Sequence, residues 1–383
     1  MTPAARVDAA ITILDRILAG EPAEPVLLRW SRASRYAGSG DRAAVRDLVF
    51  DSLRRLRSRA VLGGALTGRG LMLGMCRDDN TDPGLIFSGE GHAPAVLSPE
   101  ETAAPRAPDA GERLDLPDWL LPLWQEALGP EAEAVALAMR DRAPLWLRVN
   151  LRRTDPGRAL AALADDGIAA QPHPELPSAL RVTEGARKIA SSRAYHDGLV
   201  ELQDLSPQLA CAALPVRGSL LDFCAGGGGK ALALAARGAH PVTAHDINPA
   251  RMADLPARAA RAGVQIRIAP PGQISGRFDL VVADVPCSGS GTWRRAPDAK
   301  WRLQATDLDR LQGVQAGILD QAARLVTPGG HLAYMTCSVL RGENSDQADS
   351  FLARSPGFEP VSQHRFSPLG ASDGFFLALM RRR

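Results

Sequence analysis

From Ser219 onward the chain repeats one plan: a short apolar run, a turn, then a segment with apolar residues at helical spacing. Leu220 to Phe223 is followed by Cys224-Ala225-Gly226-Gly227-Gly228-Gly229-Lys230 and by the helical pattern ALALAAR (231–237). Strand patterns recur in PVTAHD (241–246), VQIRIA (264–269), FDLVVAD (278–284) and HLAYMTC (331–337). Helical patterns at 248–263, about 306–325 and about 343–354 separate them, and a strand pair near 357–361 and 374–380 closes the chain. Alternating strands and helices bury both faces of a sheet when the strands run parallel, so residues 201–383 are predicted to be an α/β domain with a doubly wound, mostly parallel sheet. Such sheets bind ligands beyond the carboxyl ends of their strands, where every residue of chemical interest below is placed.

The chain has 383 residues, enough for two or three domains. Residues 6–19 align Val7, Ala10, Ile11, Leu14 and Leu18 on one helical stripe, and 41–60 do the same with Val45, Leu48, Val49, Leu53 and Leu56. Residues 1–75 are therefore predicted to be an all-helical domain. Its second helix carries Arg42, Arg46, Arg54, Arg55, Arg57 and Arg59 opposite the apolar stripe, which suggests a phosphate-facing surface. Residues 1–70 hold twelve Arg against seven acids, and 71–118 hold three against ten. The stretch 76–115 is polar, rich in Pro and Gly and without sustained periodicity, so it reads as an acidic linker or insertion. Residues 116–200 read as a small α/β domain, with a helix over 117–140, a strand over 145–151 and a helix over 155–167 closed by Gly167.

No apolar run reaches the length of a membrane span, and the N-terminus lacks the layout of a secretory signal. The five cysteines (76, 211, 224, 287, 337) contain no Cys-x-x-Cys pair, which argues against a disulfide framework or a metal site and for a reducing cytoplasm. The net charge of +2 neither favours nor excludes nucleic acid as a partner.

Four consecutive glycines let a backbone approach a ligand where a Cβ would collide. Gly226, Gly228 and Ala231 satisfy the spacing G-x-G-x-x-A, and Asp246 ends the next strand, where it can meet a ribose. That pattern leaves a nicotinamide cofactor and S-adenosylmethionine both open. It excludes a phosphate loop, because Ala231 rather than Ser or Thr follows Lys230. Cys287, three residues beyond Asp284, ends the 278–284 strand, and Cys337 ends the next. A lone Cys is usually a small buried hydrophobe. Two at neighbouring strand ends beside a carboxylate suggest covalent chemistry on an electron-poor ring. Carbon 5 of a pyrimidine becomes a nucleophile only after a thiolate adds to carbon 6, and a second Cys can act as acid or base when the adduct collapses. The residues do not say which Cys attacks.

The stretch from Leu116 to the C-terminus resembles the Sun/Fmu family of S-adenosylmethionine-dependent RNA (cytosine-5)-methyltransferases, and within it the bacterial RsmB-type branch that acts on small-subunit ribosomal RNA. The matching pieces are LWLRVN (145–150), QDLSPQ (203–208), DFCAGGGGK (222–230), DVPCSGSGTWRRAPDAKW (284–301), TCSVLRGEN (336–344) and DGFFLALM (373–380). The resemblance implies a Rossmann-like methyltransferase sheet, a middle domain that positions RNA, and a NusB-like RNA-binding head echoed by GSGDRAAVRDLVFDSLRR (38–55). It implies that Cys224, Ala225, Gly226, Gly227, Gly228, Gly229 and Lys230 hold the methionine part of the cofactor and Asp246 its ribose. Asp284 would stand between cofactor and base, Cys337 would be the nucleophile, Cys287 would assist release, and Lys230 would line the site. Lys300 and Trp301 would support the segment after Cys287, Arg294 and Arg295 would meet phosphates, and Trp293 and Trp301 are candidates to stack on bases. The implied partner is small-subunit ribosomal RNA, bound by a monomer without metal. Two departures stand out: Gly226-Gly227 replace the family's Ala-Pro, and Ala269-Pro270-Pro271-Gly272 offer no acid toward the adenine. They motivate an alternative, a catalytically weak RNA-binding factor of ribosome assembly.

Overall fold

A computed structural model describes residues 1–103, 105–238 and 240–383. They form two compact units, one of residues 1–142 with 293–305, the other of 143–292 with 306–383.

The second unit begins with a four-stranded antiparallel sheet of β1 (Leu145–Val149), β2 (Ala169–Pro172), β3 (Ala179–Glu184) and β4 (Val200–Leu202), in the order β2-β3-β1-β4. The helix Pro156–Asp165 covers it, packing Ala159 and Leu163 against Leu147, Val149 and Leu180. The large sheet follows: β5 (Leu220–Asp222), β6 (Val242–Ala244), β7 (Ile266–Ile268), β8 (Phe278–Asp284), β9 (Val326–Thr336), β10 (Phe358–Phe366) and β11 (Phe375–Arg382). Its order is β10-β11-β9-β8-β5-β6-β7. The strands from β5 to β9 pair in parallel, while β11 runs antiparallel to both β9 and β10. This is the doubly wound, mostly parallel sheet that the alternating pattern predicts.

Side-chain alternation explains why both faces are dry. Leu220, Leu280, Val282, Ala333 and Met335 join one buried cluster, and Leu221, Val281, Ala283, Leu332 and Tyr334 join the other. Strand order reverses at β5, which has β8 on one side and β6 on the other, so a crevice opens at the carboxyl ends of β5 and β8. Register sets the depth of that crevice: Asp222 pairs with Val282, so β8 carries Asp284 two residues further, opposite Met335 of β9.

In the first unit, helices Pro3–Leu18, Ala23–Ala33, Ser39–Arg54, Leu56–Gly63 and Gly68–Asp78 enclose a core that includes Val7, Leu14, Val45, Val49, Leu53 and Leu71. The single helix expected over 41–60 is broken at Arg55. The one expected over 117–140 is interrupted at Gly129, which takes φ +54°, and Pro130, which has no N–H to give to the helix ladder. The expected basic surface is largely consumed internally. Arg54 and Arg59 are buried, with Arg54 Nε donating to the Arg294 carbonyl at 2.7 Å and Arg59 to Ser52 Oγ at 3.0 Å. Arg55 pairs with Asp78, Arg57 with Asp118 and Arg46 with Glu24. The stretch 76–115, although aperiodic, is tied to this unit: Phe87 is buried in its core, Arg69 pairs with Glu101 at 2.7 Å, and buried Asp115 accepts from Ser58 N and Oγ at 3.0 and 2.9 Å.

The segment 293–305 also belongs here, which corrects several expectations. Trp293 is buried and stacks on Trp124, with centroids 6.1 Å apart, so it is a core residue rather than a platform for bases. Trp301 donates from Nε1 to the Leu53 carbonyl at 2.7 Å. Arg294 is buried, whereas Arg295 is exposed. Lys300 is buried and donates to the carbonyl of Asp115; burial lowers its pKa to about 8.

Candidate active site

The loop after β5 is shaped by backbone conformations that side chains resist. Gly226 and Gly228 have φ of +52° and +80°. A Cβ on Gly228 would lie 2.3 Å from Leu255 Cδ1. Ala225 N donates to the His245 carbonyl at 2.8 Å and Gly226 N to Asp246 Oδ2 at 2.9 Å, so the end of β6 holds the loop from the side. Gly228 caps the helix Gly229–Ala235, whose Ala231 N donates to Asp222 Oδ2 at 2.9 Å. The other Asp222 oxygen is buried without a hydrogen-bond partner, and burial pushes this carboxyl up to about 7 despite nearby Lys230. Two residues from matched motifs, which the sequence alone left without a role, brace the loop from behind. Arg148, its Nε buried, donates to the Gly229 carbonyl at 3.2 Å, and Gln203 Nε2 lies 3.5 Å from the same oxygen.

Asp246 is buried and engaged by the loop. Its Oδ1 accepts from Asn248 N at 2.9 Å, and its Oδ2 also lies 3.4 Å from the half-exposed Arg251 guanidinium. A carboxylate has about four acceptor positions, so one remains for a ribose hydroxyl and a second is freed if Arg251 swings outward. The glycine cradle and this carboxylate fit a nucleoside cofactor with a methionine-like arm. Beyond β7, the chain at 269–272 presents no acidic side chain, and His245 Nδ1 hydrogen-bonds the Ala269 carbonyl at 2.9 Å.

Lys230, on the first turn of the helix, points to the end of β8. Its Nζ is 2.5 Å from Asp284 Oδ2 and 5.2 Å from the Phe375 ring centroid. Burial works against the Lys230 charge, but the charge and hydrogen bond of Asp284 outweigh it and raise the pKa above the ordinary lysine value. Cys224, on the same loop, is a protonated thiol: burial, then the charges of Asp222 and Asp284, raise its pKa.

Beyond Asp284 the chain turns through Val285 and Pro286 to Cys287, and β9 ends at Thr336 just before Cys337. The two sulfurs are 3.4 Å apart. Both cysteines are free and partly buried. Gly291 N donates to the Cys337 carbonyl and Gly374 N to the Gly291 carbonyl, each at 2.9 Å, so the loop after Cys287 is laced to both neighbouring chain segments. Asp373 N in turn donates to Asp204 Oδ1 at 2.9 Å, which anchors the start of β11 to the 203–208 motif. A serine pair, Ser290 and Ser338, joins the two cysteine loops at 2.8 Å.

Sequence reasoning also gave no role to Glu343 and Asn344. Asn344 Nδ2 donates to the Ser338 carbonyl at 2.9 Å and its Oδ1 accepts from Thr336 Oγ1 at 2.5 Å, fixing the turn around Cys337. Glu343 is buried and holds the loop around Cys287. The only signal in the sequence was an acid and an amide shortly after a Thr-Cys strand end.

Among the described residues no group of His, Cys, Asp or Glu could hold a metal ion, and no helix is long and apolar enough to cross a membrane.

Comparison with known proteins gives this geometry a family. Residues 214–380 match the family described as 16S rRNA methyltransferase RsmB/F, and residues 116–188 match its RsmF/B-like ferredoxin-like domain. The ribosomal RNA small subunit methyltransferase B of Klebsiella pneumoniae (strain 342) is 35% identical over 287 residues, covering 70% of this chain and 66% of that protein. The protein of the same name from Xanthomonas campestris pv. campestris is 33% identical over 300 residues, covering 72% and 67%. The matched stretch thus spans about two thirds of the length of these relatives. The solved structure of a methyltransferase homolog from Pyrococcus horikoshii is alike in fold, with a TM-score of 0.62 at 23% identity, over 71% of this chain and 97% of that one. The chain belongs to the 16S rRNA methyltransferase RsmB/F family.

Proposed function

We propose that the protein methylates carbon 5 of a cytosine in 16S ribosomal RNA, using S-adenosylmethionine and a transient bond between Cys337 and carbon 6 of the base. What carries this reading is the 3.4 Å separation of the Cys287 and Cys337 sulfurs, which follow the ends of the neighbouring strands β8 and β9, β8 ending at Asp284, the partner of Lys230. S-adenosylmethionine, when bound, supplies an electrophilic methyl group; residues 224–230 and Asp246 would hold it.

The Cys337 thiolate adds to carbon 6, and the electron pair of the C5–C6 double bond moves into the ring, making carbon 5 enamine-like. Asp284 accepts from the exocyclic amine, and a proton from the Lys230–Asp284 pair reaches N3, so the ring holds that electron pair without net negative charge. Once carbon 5 carries the methyl group, its remaining hydrogen leaves as a proton to a base. The C–S electron pair then returns to Cys337, Cys287 assisting this release by donating its S–H to the departing sulfur, and N3 gives its proton back to the Lys230–Asp284 pair. RNA would be met outside the catalytic cleft by arginines that are exposed. In the helical unit these include Arg32, Arg35 and Arg42, the first two close in sequence to exposed Tyr36, whereas Arg54 and Arg59 are buried.

Bisulfite sequencing of 16S ribosomal RNA from a strain lacking the gene tests the reading: one cytosine mark should disappear and return on complementation. The departures at 226–227 and 269–272 keep the second reading, an RNA-binding assembly factor without turnover, in play. Isothermal titration with no binding at millimolar S-adenosylmethionine, together with an unchanged bisulfite map, would favour it.

A further inference from the structure

Glu343 lies six residues beyond Cys337 and is fully buried. A buried carboxylate is costly unless its oxygens are hydrogen-bonded, and here the bonds run to the loop that carries the other cysteine. Ser288 N donates to Oε1 at 2.8 Å and Ser288 Oγ to Oε2 at 2.5 Å. Buried Gln315 donates from Nε2 to Oε1 and to the Pro286 carbonyl, both at 3.0 Å. Cys287 is therefore flanked on each side by a residue fixed to the same carboxylate–amide pair.

The arrangement is also electrostatically one-sided. A thiolate on Cys287 would sit next to a residue whose N–H and hydroxyl already serve a buried negative charge, and like charges disfavour each other at such range. The groups that act on Cys287 are Cys337 from the end of β9, Glu343, and Tyr334 within β9. Its hydrogen bond with Cys337, then burial, then the charges of Cys337 and Glu343 raise the Cys287 pKa, while the Gly289 backbone N–H works the other way. Tyr334 stays a neutral phenol, because burial and then the Cys287 and Glu343 charges raise its pKa, and its hydroxyl donates to the Glu343 carbonyl at 2.5 Å. A Cys287 thiol at 3.4 Å can donate its S–H to a thiolate on Cys337.

We infer that Glu343 is a positioning residue that assigns the two cysteines different parts: its carboxylate fixes the Cys287 loop and keeps Cys287 a thiol that donates to Cys337, so that the thiolate of the pair forms on Cys337, whose proton goes to solvent. The inference deepens the covalent reading above and rests on it for its functional meaning, but its test needs neither RNA nor cofactor.

The full-length protein is labelled with iodoacetamide between pH 6 and 10, and each cysteine is followed by peptide mass spectrometry. In the parent, Cys337 should be labelled about tenfold faster than Cys287 at pH 7.5. In a C337S background, E343Q should speed labelling of Cys287 about tenfold and move its pH profile down by about one unit, and E343D should restore the parent rate. In a C287S background, E343Q should change Cys337 labelling by less than about threefold. Faster labelling of Cys287 than of Cys337 in the parent overturns the inference, and that comparison stands even if E343Q does not fold. So does an E343Q effect on Cys287 below about twofold. Loss of methyl transfer with this labelling pattern intact would instead sink the activity reading alone.

Discussion

Gly291 is the point where the two cysteine loops and β11 are laced together, and a single methyl group there should unpick them. A Cβ on Gly291 would lie 2.0 Å from the Gly374 carbonyl oxygen and 2.7 Å from Gly374 Cα. Both are backbone atoms that cannot rotate away, so one of the two loop segments must retreat by about 1 Å to restore van der Waals distance. That movement stretches two backbone hydrogen bonds of 2.9 Å, from Gly291 N to Cys337 O and from Gly374 N to Gly291 O. Two weakened bonds at about 0.5–1.5 kcal/mol each, with an overpacking cost of about 1–3 kcal/mol, make Gly291→Ala destabilising by about 2–6 kcal/mol. For a unit of this size, at about 2–4 °C per kcal/mol, that lowers the unfolding midpoint by roughly 4–24 °C. Because the displaced loop carries Cys287, methyl transfer measured well below that midpoint should fall at least about tenfold, the effect expected of an ångström-scale misplacement. Gly313→Ala is the control. Gly313 lies inside the helix Ala305–Arg324 with open space around its Cβ position, so the change should stabilise by about 0.5–1 kcal/mol and spare activity. A Gly291→Ala protein that melts and turns over like the parent would refute the reasoning.

Other outcomes follow from the same geometry. Two thiols 3.4 Å apart need to close by little more than 1 Å to bond, so mild oxidation with diamide should link Cys287 to Cys337, abolish methyl transfer and be reversed by dithiothreitol; peptide mapping checks the pairing. Asp222, raised to about 7 against about 3.9 in an unfolded chain, keeps a proton in the native state that the unfolded state loses between those values. Its contribution to stability therefore falls as pH rises from about 4 to 7 and is flat above. Asp222→Asn should remove that fall and be more stable than the parent at pH 8, on the order of 2 kcal/mol, in thermal melts taken across pH. Replacing Arg32 and Arg35 together by Ala should weaken RNA binding and lower the slope of log K against log salt by roughly 1–2, with little change in melting temperature.

The sheet was legible because its strands alternate or run apolar in short segments with glycine and proline between them, a local property. The position of the chemistry followed from topology: once neighbouring strands are parallel, the residues at the ends of FDLVVAD and HLAYMTC share one rim, as Cys287 and Cys337 do. The antiparallel placement of β11 between β9 and β10 depends on edges distant in sequence and was not readable. Nor was the fate of 293–305. Its tryptophans and arginines follow the Cys287 loop directly and look like substrate contacts, yet what covers a side chain is decided by segments such as 51–58 and 115–124. The arginine stripe misled for the same reason, since helical spacing tells which side chains share a face and not that Asp51, Asp78 or Ser52 will be waiting for them. Glu343 stayed hidden because one acid after a strand end carries no periodic signal; only its bonds to Ser288 and its contact with Gln315 disclose it.

The central claim is that Cys337 bonds the base and Cys287 lets it go. Full-length C287A and C337A proteins incubated with small-subunit ribosomal RNA and S-adenosylmethionine, then run on denaturing gels, test it directly. C287A should retain a covalent protein–RNA band that contains the transferred methyl group, and C337A should form neither band nor product. A covalent band with C337A but not with C287A, or normal methylation by both variants, would contradict the account.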